Sequence, residues 1–251
     1  RAKSISSLFD ALISVIPSEC SLYEGTRLKC YFVGHPVLDL VEPVLTREEF
    51  RPECAASVGM LMGMMPGSRK EEVKRILPVM LNCARIIKGE LQEVSFAVAV
   101  ADSIETELVK SLCHSIFADV SIVKGRTHEV MQASDLLMVA SGTATLEAAV
   151  LGVPMSIIYR TSPLTWALAK GLVRVKSIGL VNIIAGRRVV PEFIQFDATP
   201  ERLSQQILSL VKDPARIEKM KEDLRKVRER LGTPGASKRA ARLVVELSEE
   251  T

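Results

Sequence analysis

The chain has 251 residues, 47% of them apolar and 25% charged, a globular make-up that excludes a disordered or fibrous protein. Its formal charge of +3 comes without a lysine and arginine block interleaved with aromatics, so no nucleic acid is expected as a partner. No apolar run approaches the roughly 20 residues of a membrane helix, and no segment joins a charged start, an apolar stretch and a small-residue cleavage site, so any membrane contact is expected to be peripheral.

Arg1 rather than methionine opens the chain, and the apolar run from Ala11 to Ile16 follows within a dozen residues, as in the interior of a domain. Strands are expected at Leu12 to Ile16, Cys30 to Val33, Val58 to Met64, Val94 to Val100, Val120 to Val123, Leu136 to Ala140 and Pro154 to Tyr159. Several lack strict alternation, which suits strands covered on both faces. Longer helical patterns separate them, and that alternation implies βαβ units and a mainly parallel sheet.

Helix starts are marked by Thr46 with Glu49, Ser68 with Glu71 and Asp102 with Glu105, all at capping-box spacing. Ser162-Pro163, Thr199-Pro200 and Asp213-Pro214 each place a proline just inside a cap. From about Thr199 the pattern is helical to the end, with Glu222 and Lys226 paired on a solvated face. A boundary is expected near Glu42-Pro43, the preceding residues reading as the tail of another domain. Cys20, Cys30, Cys54, Cys83 and Cys113 form no CxxC pair and read as reduced thiols, with neither a zinc site nor a dense disulfide framework.

Two segments have the chemistry of a ligand site. In Met64-Met65-Pro66-Gly67-Ser68-Arg69-Lys70-Glu71 an apolar strand runs through a glycine turn into a helix, where backbone N–H groups attract anions and Arg69 can add a bidentate phosphate contact. The alternative is that Ser68 and Glu71 only cap a surface helix. In Ala140-Ser141-Gly142-Thr143-Ala144-Thr145-Leu146-Glu147 small residues let a ligand approach the backbone, and Glu147 stands where a carboxylate can accept both hydroxyls of a ribose. Ala144, three residues earlier, rules out a capping box, which leaves a glutamate complementing the helix dipole as the alternative. Two such turns after two strands imply one crevice at the carboxyl edge of a parallel sheet, sized for a nucleotide-linked ligand.

Leu164, Leu168, Leu172 and Val175 share a helical stripe beside Trp166, Lys170, Arg174 and Lys176, as in a helix at a lipid interface or one packed on the core. His128-Glu129 opens no HExxH pattern, since Gln132 and Ala133 follow; His114 reads as a surface residue, and His35 as part of a Gly-His-Pro turn. No nucleophile triad and no carboxylate pair for glycoside hydrolysis stands out.

Gly34-His35-Pro36, Pro66-Gly67-Ser68-Arg69, Ser141 to Glu147, Pro154-Met155 with Tyr159-Arg160, and Asn182-Ile183-Ile184-Ala185-Gly186-Arg187 occur in an order that resembles lipid-A-disaccharide synthase. The resemblance implies half of a glycosyltransferase-B fold, an α/β Rossmann-like parallel sheet with helices on both faces and a helical C-terminal region. It implies residues 1–42 as a remnant of the N-terminal acceptor domain and 43–251 as the UDP-sugar-binding domain. The implied reaction moves 2,3-diacylglucosamine from its UDP form to 2,3-diacylglucosamine 1-phosphate, giving the lipid A disaccharide and UDP without metal or cofactor.

On the matching positions the resemblance implies Ser68 and Arg69 at the diphosphate, and Ser141, Gly142 and Thr143 at a phosphate-facing turn. It implies Glu147 at the ribose, Asn182 near the donor sugar, and Arg187 with it. The general base is expected in an N-terminal part this sequence lacks, so the chain alone should bind nucleotide better than it turns over. The expected location is cytoplasmic, peripheral to the inner membrane where the acylated donor and acceptor reside, with a homodimer left open. A UDP-N-acetylglucosamine epimerase, a peptidoglycan glycosyltransferase and a non-catalytic UDP-binding module are the alternatives.

Overall fold

A computed structural model describes residues 2–54, 59–162, 166 and 177–249. The first part holds α1 (Ala2–Leu8), β1 (Ala11–Ser14) and β2 (Lys29–Phe32), the two strands pairing in parallel as a sheet of their own. Short helices α2 (Val37–Leu40) and α3 (Arg47–Phe50) lead out of it. The main sheet contains β3 (Met60–Met65), β4 (Val94–Val100), β5 (Ser121–Lys124), β6 (Leu136–Ala140), β7 (Met155–Tyr159) and β8 (Glu192–Ile194). Its order is β5-β4-β3-β6-β7-β8 and every pairing is parallel.

Helices α4 (Lys70–Glu90), α5 (Thr106–Ile116), α6 (Thr127–Ala133), α7 (Ala144–Val150) and α8 (Leu180–Ala185) connect these strands, and α9 (Pro200–Val211), α10 (Pro214–Arg230) and α11 (Ala236–Glu249) follow. They cover both faces, α4 packing on α5 and α9 while α10 packs on α7 and α8. Being covered on both faces is why β6 is buried at every position and β4 at nearly every one, and why their sequences run apolar without alternation. Leu61, Met64, Phe96, Leu136 and Leu137 lie fully inside, and each such side chain contributes roughly 1.5–3 kcal/mol.

Asp135, just before β6, ties the start of this sheet to α3. It accepts the Leu61 N–H at 2.8 Å and a guanidinium hydrogen of Arg51 at 3.0 Å, and forms an ion pair with Arg47. Burial pushes its carboxyl up, but the Leu61, Arg47 and Arg51 bonds outweigh that and hold it below the ordinary aspartate value.

The C-terminal helices return to the first part of the chain. Arg239 donates to Val33 O at 2.9 Å, Gly235 N–H to Asp39 Oδ1 at 2.7 Å, and His35 N–H to Leu231 O at 2.8 Å. His35 Nδ1 also accepts the Val37 N–H at 3.1 Å, so this histidine closes its own turn, and burial lowers its pKa.

The strands fall within a residue or two of their expected places, with Val58 outside the described residues. Strand β8 was not anticipated, three residues being too short for a periodic signal. Thr46 with Glu49 forms the expected capping box, and Thr199 and Asp213 cap α9 and α10. The other two boxes do not form: α4 starts one residue late, with Arg69 at its N-cap, and α5 starts at Thr106 behind Glu105, neither cap making a side-chain bond.

The expectation of reduced thiols also needs correcting. Cys20 and Cys30 form a disulfide because the turn between β1 and β2 brings their Cα atoms within 5.2 Å, a tertiary proximity that spacing does not encode. Cys54, Cys83 and Cys113 are free and buried; burial pushes Cys54 and Cys113 to about 11 and Cys83 higher still. Apart from Trp166, whose N–H bonds Ser162 O at 2.9 Å, the expected amphipathic helix over 163–176 lies outside the described residues. Among the described residues no helix is long and apolar enough to cross a membrane, and no cluster of histidine, cysteine or carboxylate side chains could hold a metal ion.

Candidate functional site

Strands β3 and β6 are neighbours whose connections leave in opposite directions, β3 toward β4 and β6 toward β7, and this opens a crevice at their carboxyl ends. A cleft of about 530 Å³ lies there. Its walls are the turns after four adjacent strands: Gly67 and Ser68 after β3, Ala101 and Asp102 after β4, Gly125, Thr127 and His128 after β5, and Ser141, Gly142 and Thr143 after β6. Glu72, Glu129 and Glu147 also line it, and Glu42 and Val44 reach it from the first part of the chain.

The two expected ligand turns therefore share one cleft, but they are not equivalent. After β6, Ser141 donates its N–H to Ile158 O at 2.9 Å and its hydroxyl to Ile178 O at 3.4 Å, which fixes the turn from behind. Among the described residues other than its two chain neighbours, no heavy atom lies within 4 Å of where a Cβ on Gly142 would be, so this backbone faces open cleft. Thr143, at the N-cap of α7, makes no side-chain capping bond. After β3, by contrast, a Cβ on Gly67 would overlap the carboxylate of Glu72, and φ at Gly67 is +112°. Arg69 is exposed at the start of α4 and does not line the cleft.

Glu147 stands one turn into α7 with its carboxylate 3.5 Å from Nε2 of His128, on α6. Both side chains are about three-quarters buried. The hydrogen bond to Glu147 raises the His128 pKa most, burial opposes it, and the charges of Glu147 and Glu129 add to the rise. The result is a carboxylate oriented by an imidazole, in the same cleft as the Gly142 turn and one helical turn beyond it.

Asn182 and Arg187 do not join this cleft. Asn182 is 1% exposed and its carboxamide is fully engaged: Nδ2 donates to Val190 O at 2.9 Å and Glu192 Oε1 at 2.7 Å, and Oδ1 accepts the N–H groups of Val189 at 2.7 Å and Val190 at 3.0 Å. Glu192 in turn accepts the N–H groups of Ile178 and Gly179, both at 3.0 Å, so the pair staples α8 to the strand beside it. Against the expected place near a donor sugar, the structure thus gives Asn182 a loop-holding position, because its polar atoms are spent on backbone. Arg187 pairs with buried Asp223 at 2.6 Å and lines a separate groove with α9 and α10.

Sequence reasoning missed His128 and Glu72. His128 was weighed only as half of a zinc motif, whereas its place just after the glycine turn Lys124-Gly125-Arg126, at a strand's carboxyl end, was the usable signal. Glu72 lies one residue beyond the glutamate that the capping-box spacing selects.

The lipid-A-disaccharide synthetase family profile matches residues 1–246. The chain is 40% identical over 248 residues to the lipid-A-disaccharide synthase of Geobacter sulfurreducens, covering 98% of this chain and 65% of that one. It is 39% identical over 256 residues to that of Trichlorobacter lovleyi, with 100% and 66% covered. The chain thus spans about 65% of the length of these relatives. Among solved structures, the UDP co-structure of S. aureus MnaA matches with a TM-score of 0.65 at 13% identity, over 95% of this chain and 61% of that one, a likeness of fold.

Proposed function

Because the chain belongs to the lipid-A-disaccharide synthetase family, we propose that it carries the donor-binding part of a glycosyltransferase of lipid A biosynthesis. The transfer takes 2,3-diacylglucosamine from its UDP form to 2,3-diacylglucosamine 1-phosphate. The observation that carries this reading is that the open Ser141-Gly142-Thr143 turn and the His128-oriented carboxylate of Glu147, one turn further along the same segment, line one cleft. An exposed backbone turn suits phosphoryl oxygens and a fixed carboxylate suits the two hydroxyls of a ribose. Ser68, in the lining, and Arg69, exposed beside it at the start of α4, are assigned to the same diphosphate.

Calorimetric titration with UDP tests this. Removing a hydrogen bond to a charged group costs about 1.5–3 kcal/mol, so Glu147→Ala should weaken UDP about 10- to 100-fold. Equal affinity in the two proteins would remove the ribose contact, and no binding by the unmodified chain would reject the donor site.

In this reading residues 1–42 belong to an acceptor domain and 43–251 to the donor domain. The two-stranded parallel sheet of β1 and β2 supports that division, since parallel strands are ordinarily covered on both faces, yet Leu8, Phe9, Leu22 and Leu40 around it are exposed. The group that deprotonates the acceptor hydroxyl is placed in the part of the relatives that the chain does not span, so UDP binding should persist where turnover fails. The stripe from Leu164 to Val175 with Trp166 is assigned to the inner-membrane surface on the cytoplasmic side, where acylated substrates are met. The epimerase alternative draws support only from fold likeness at 14% identity, and fold alone does not carry function.

A further inference from the structure

The Gly67 to Arg69 turn already holds an anion, and it belongs to the protein. The Glu72 side chain bends back from the third position of α4 and lies against the Gly67 α-carbon, where any Cβ would collide with it. Beside it the backbone N–H groups of Ser68 and Arg69 favour the ionised carboxylate. Glu72 lies inside the cleft, being part of the lining. The turn itself is pinned from the other side, Ser103 Oγ donating to Ser68 O at 2.8 Å. The two donors are therefore fixed, and what occupies them can change.

Across the cleft the Gly142 backbone has no such occupant. The contrast has a chemical consequence. A diphosphate presents oxygens that want the same two N–H groups, and a second anion cannot enter beside an ionised carboxylate without repulsion. Burial already works against the charge on Glu72, pushing its pKa up against the lowering by the Ser68 bond and the Arg69 charge. The carboxylate sits on a flexible three-torsion stem, so it can leave the turn without moving α4.

We propose that Glu72 sets the affinity of the cleft for its donor: its carboxylate fills the anion position of the Gly67 to Arg69 turn and is displaced when a diphosphate binds. The proposal rests on the donor-site reading above for the identity of the diphosphate, but the exchange itself concerns only phosphoryl oxygen and carboxylate. It differs from a plain capping role, in which the third-position glutamate only satisfies the N-cap N–H and stabilises the helix.

The experiment is calorimetry of the 251-residue chain and its Glu72→Gln and Glu72→Ala variants with two probes, inorganic pyrophosphate and uridine. Glutamine keeps an acceptor for the two N–H groups and so keeps the turn folded, which a thermal melt checks. A neutral acceptor is bound by N–H groups about half as strongly as a charged one, and the like charge is gone. Pyrophosphate should therefore bind about tenfold more tightly to Glu72→Gln than to the unmodified chain, and Glu72→Ala should also gain, while uridine affinity stays the same in all three. Unchanged or weaker pyrophosphate binding by a folded Glu72→Gln variant overturns the proposal, as does a failure of pyrophosphate to bind any of the three. Tighter pyrophosphate binding with no uridine binding at all would support the exchange while removing the donor reading.

Discussion

Replacing Asn182 by alanine should cost stability rather than donor contact. The carboxamide makes four hydrogen bonds at 2.7–3.0 Å, and Val190, which supplies one acceptor and one donor among its partners, is 1% exposed. Alanine leaves the N–H and carbonyl of Val190 without a partner in a place water does not reach, and each such orphan costs about 1–3 kcal/mol. Glu192 keeps its two backbone N–H bonds and is not orphaned. The sum is about 2–6 kcal/mol, a large share of the roughly 5–15 kcal/mol that holds a domain folded. For a chain of this size the melting temperature should fall by about 10 °C. Asn182→Asp sharpens the test, because it sets a second carboxylate against Glu192. Its folded-state pKa must rise, so the variant's stability is greatest below the ordinary aspartate range and is lost as pH climbs through the raised value. Thermal and urea unfolding from about pH 3 to about pH 8, which brackets the ordinary aspartate value near 3.9, read both effects. A melting temperature unchanged in Asn182→Ala, together with loss of UDP-sugar binding, would refute the loop-holding reading and restore the sugar contact.

His128 has its pKa raised above 6.5 by its bond to Glu147, so the pair stabilises the fold fully below that value and the contribution is lost as pH rises through the raised one. An NMR titration of its ring should fall back toward the ordinary range in Glu147→Gln, and an unmoved midpoint would reject the pairing. Asp135 is held below its ordinary 3.8, so its contribution is present above that value and lost as pH falls from there through the lowered one. Asp135→Asn should cost about 2 kcal/mol at pH 7 with the deficit shrinking at acid pH, and a pH-independent deficit in urea unfolding would sink that account. Making Trp166, Leu168 and Leu172 polar should reduce flotation with anionic liposomes, whereas unchanged flotation would leave that stripe as core.

The main sheet was legible because a parallel sheet covered on both faces writes its strands as unbroken apolar runs. Val94 to Val100 and Leu136 to Ala140 were placed to the residue for this reason. Helix starts were legible where a short side chain reaches its own third residue, as at Thr46, Thr199 and Asp213. They failed at α4 and α5, where the right residue types stand at the right spacing but the turn before the helix leads the chain in one residue later at α4 and three later at α5. The Cys20 to Cys30 bridge was invisible for a related reason: it depends on how a turn closes, which spacing does not state.

The cleft was half legible, and the division follows the chemistry. Positions whose role is to leave room, Gly142 and its small neighbours, announce themselves by what they lack, and the open backbone there is the same fact seen in coordinates. Charged groups announce only their presence; which atom each one meets is decided by tertiary contact. Glu147 was found because small residues precede it, but its partner His128 follows β5, which β4 and β3 separate from β6 in the sheet, and nothing in either segment names the other. Asn182 shows the converse. A carboxamide in a loop segment resembles a ligand contact until Glu192, ten residues later, is seen to take its donor. Glu72 combines both lessons, since a glycine that reads as space for a phosphate is the space its own chain already fills. A turn that looks open in sequence is a binding site only to the extent that an incoming anion outcompetes the side chain already there, and that competition is what the Glu72 variants measure.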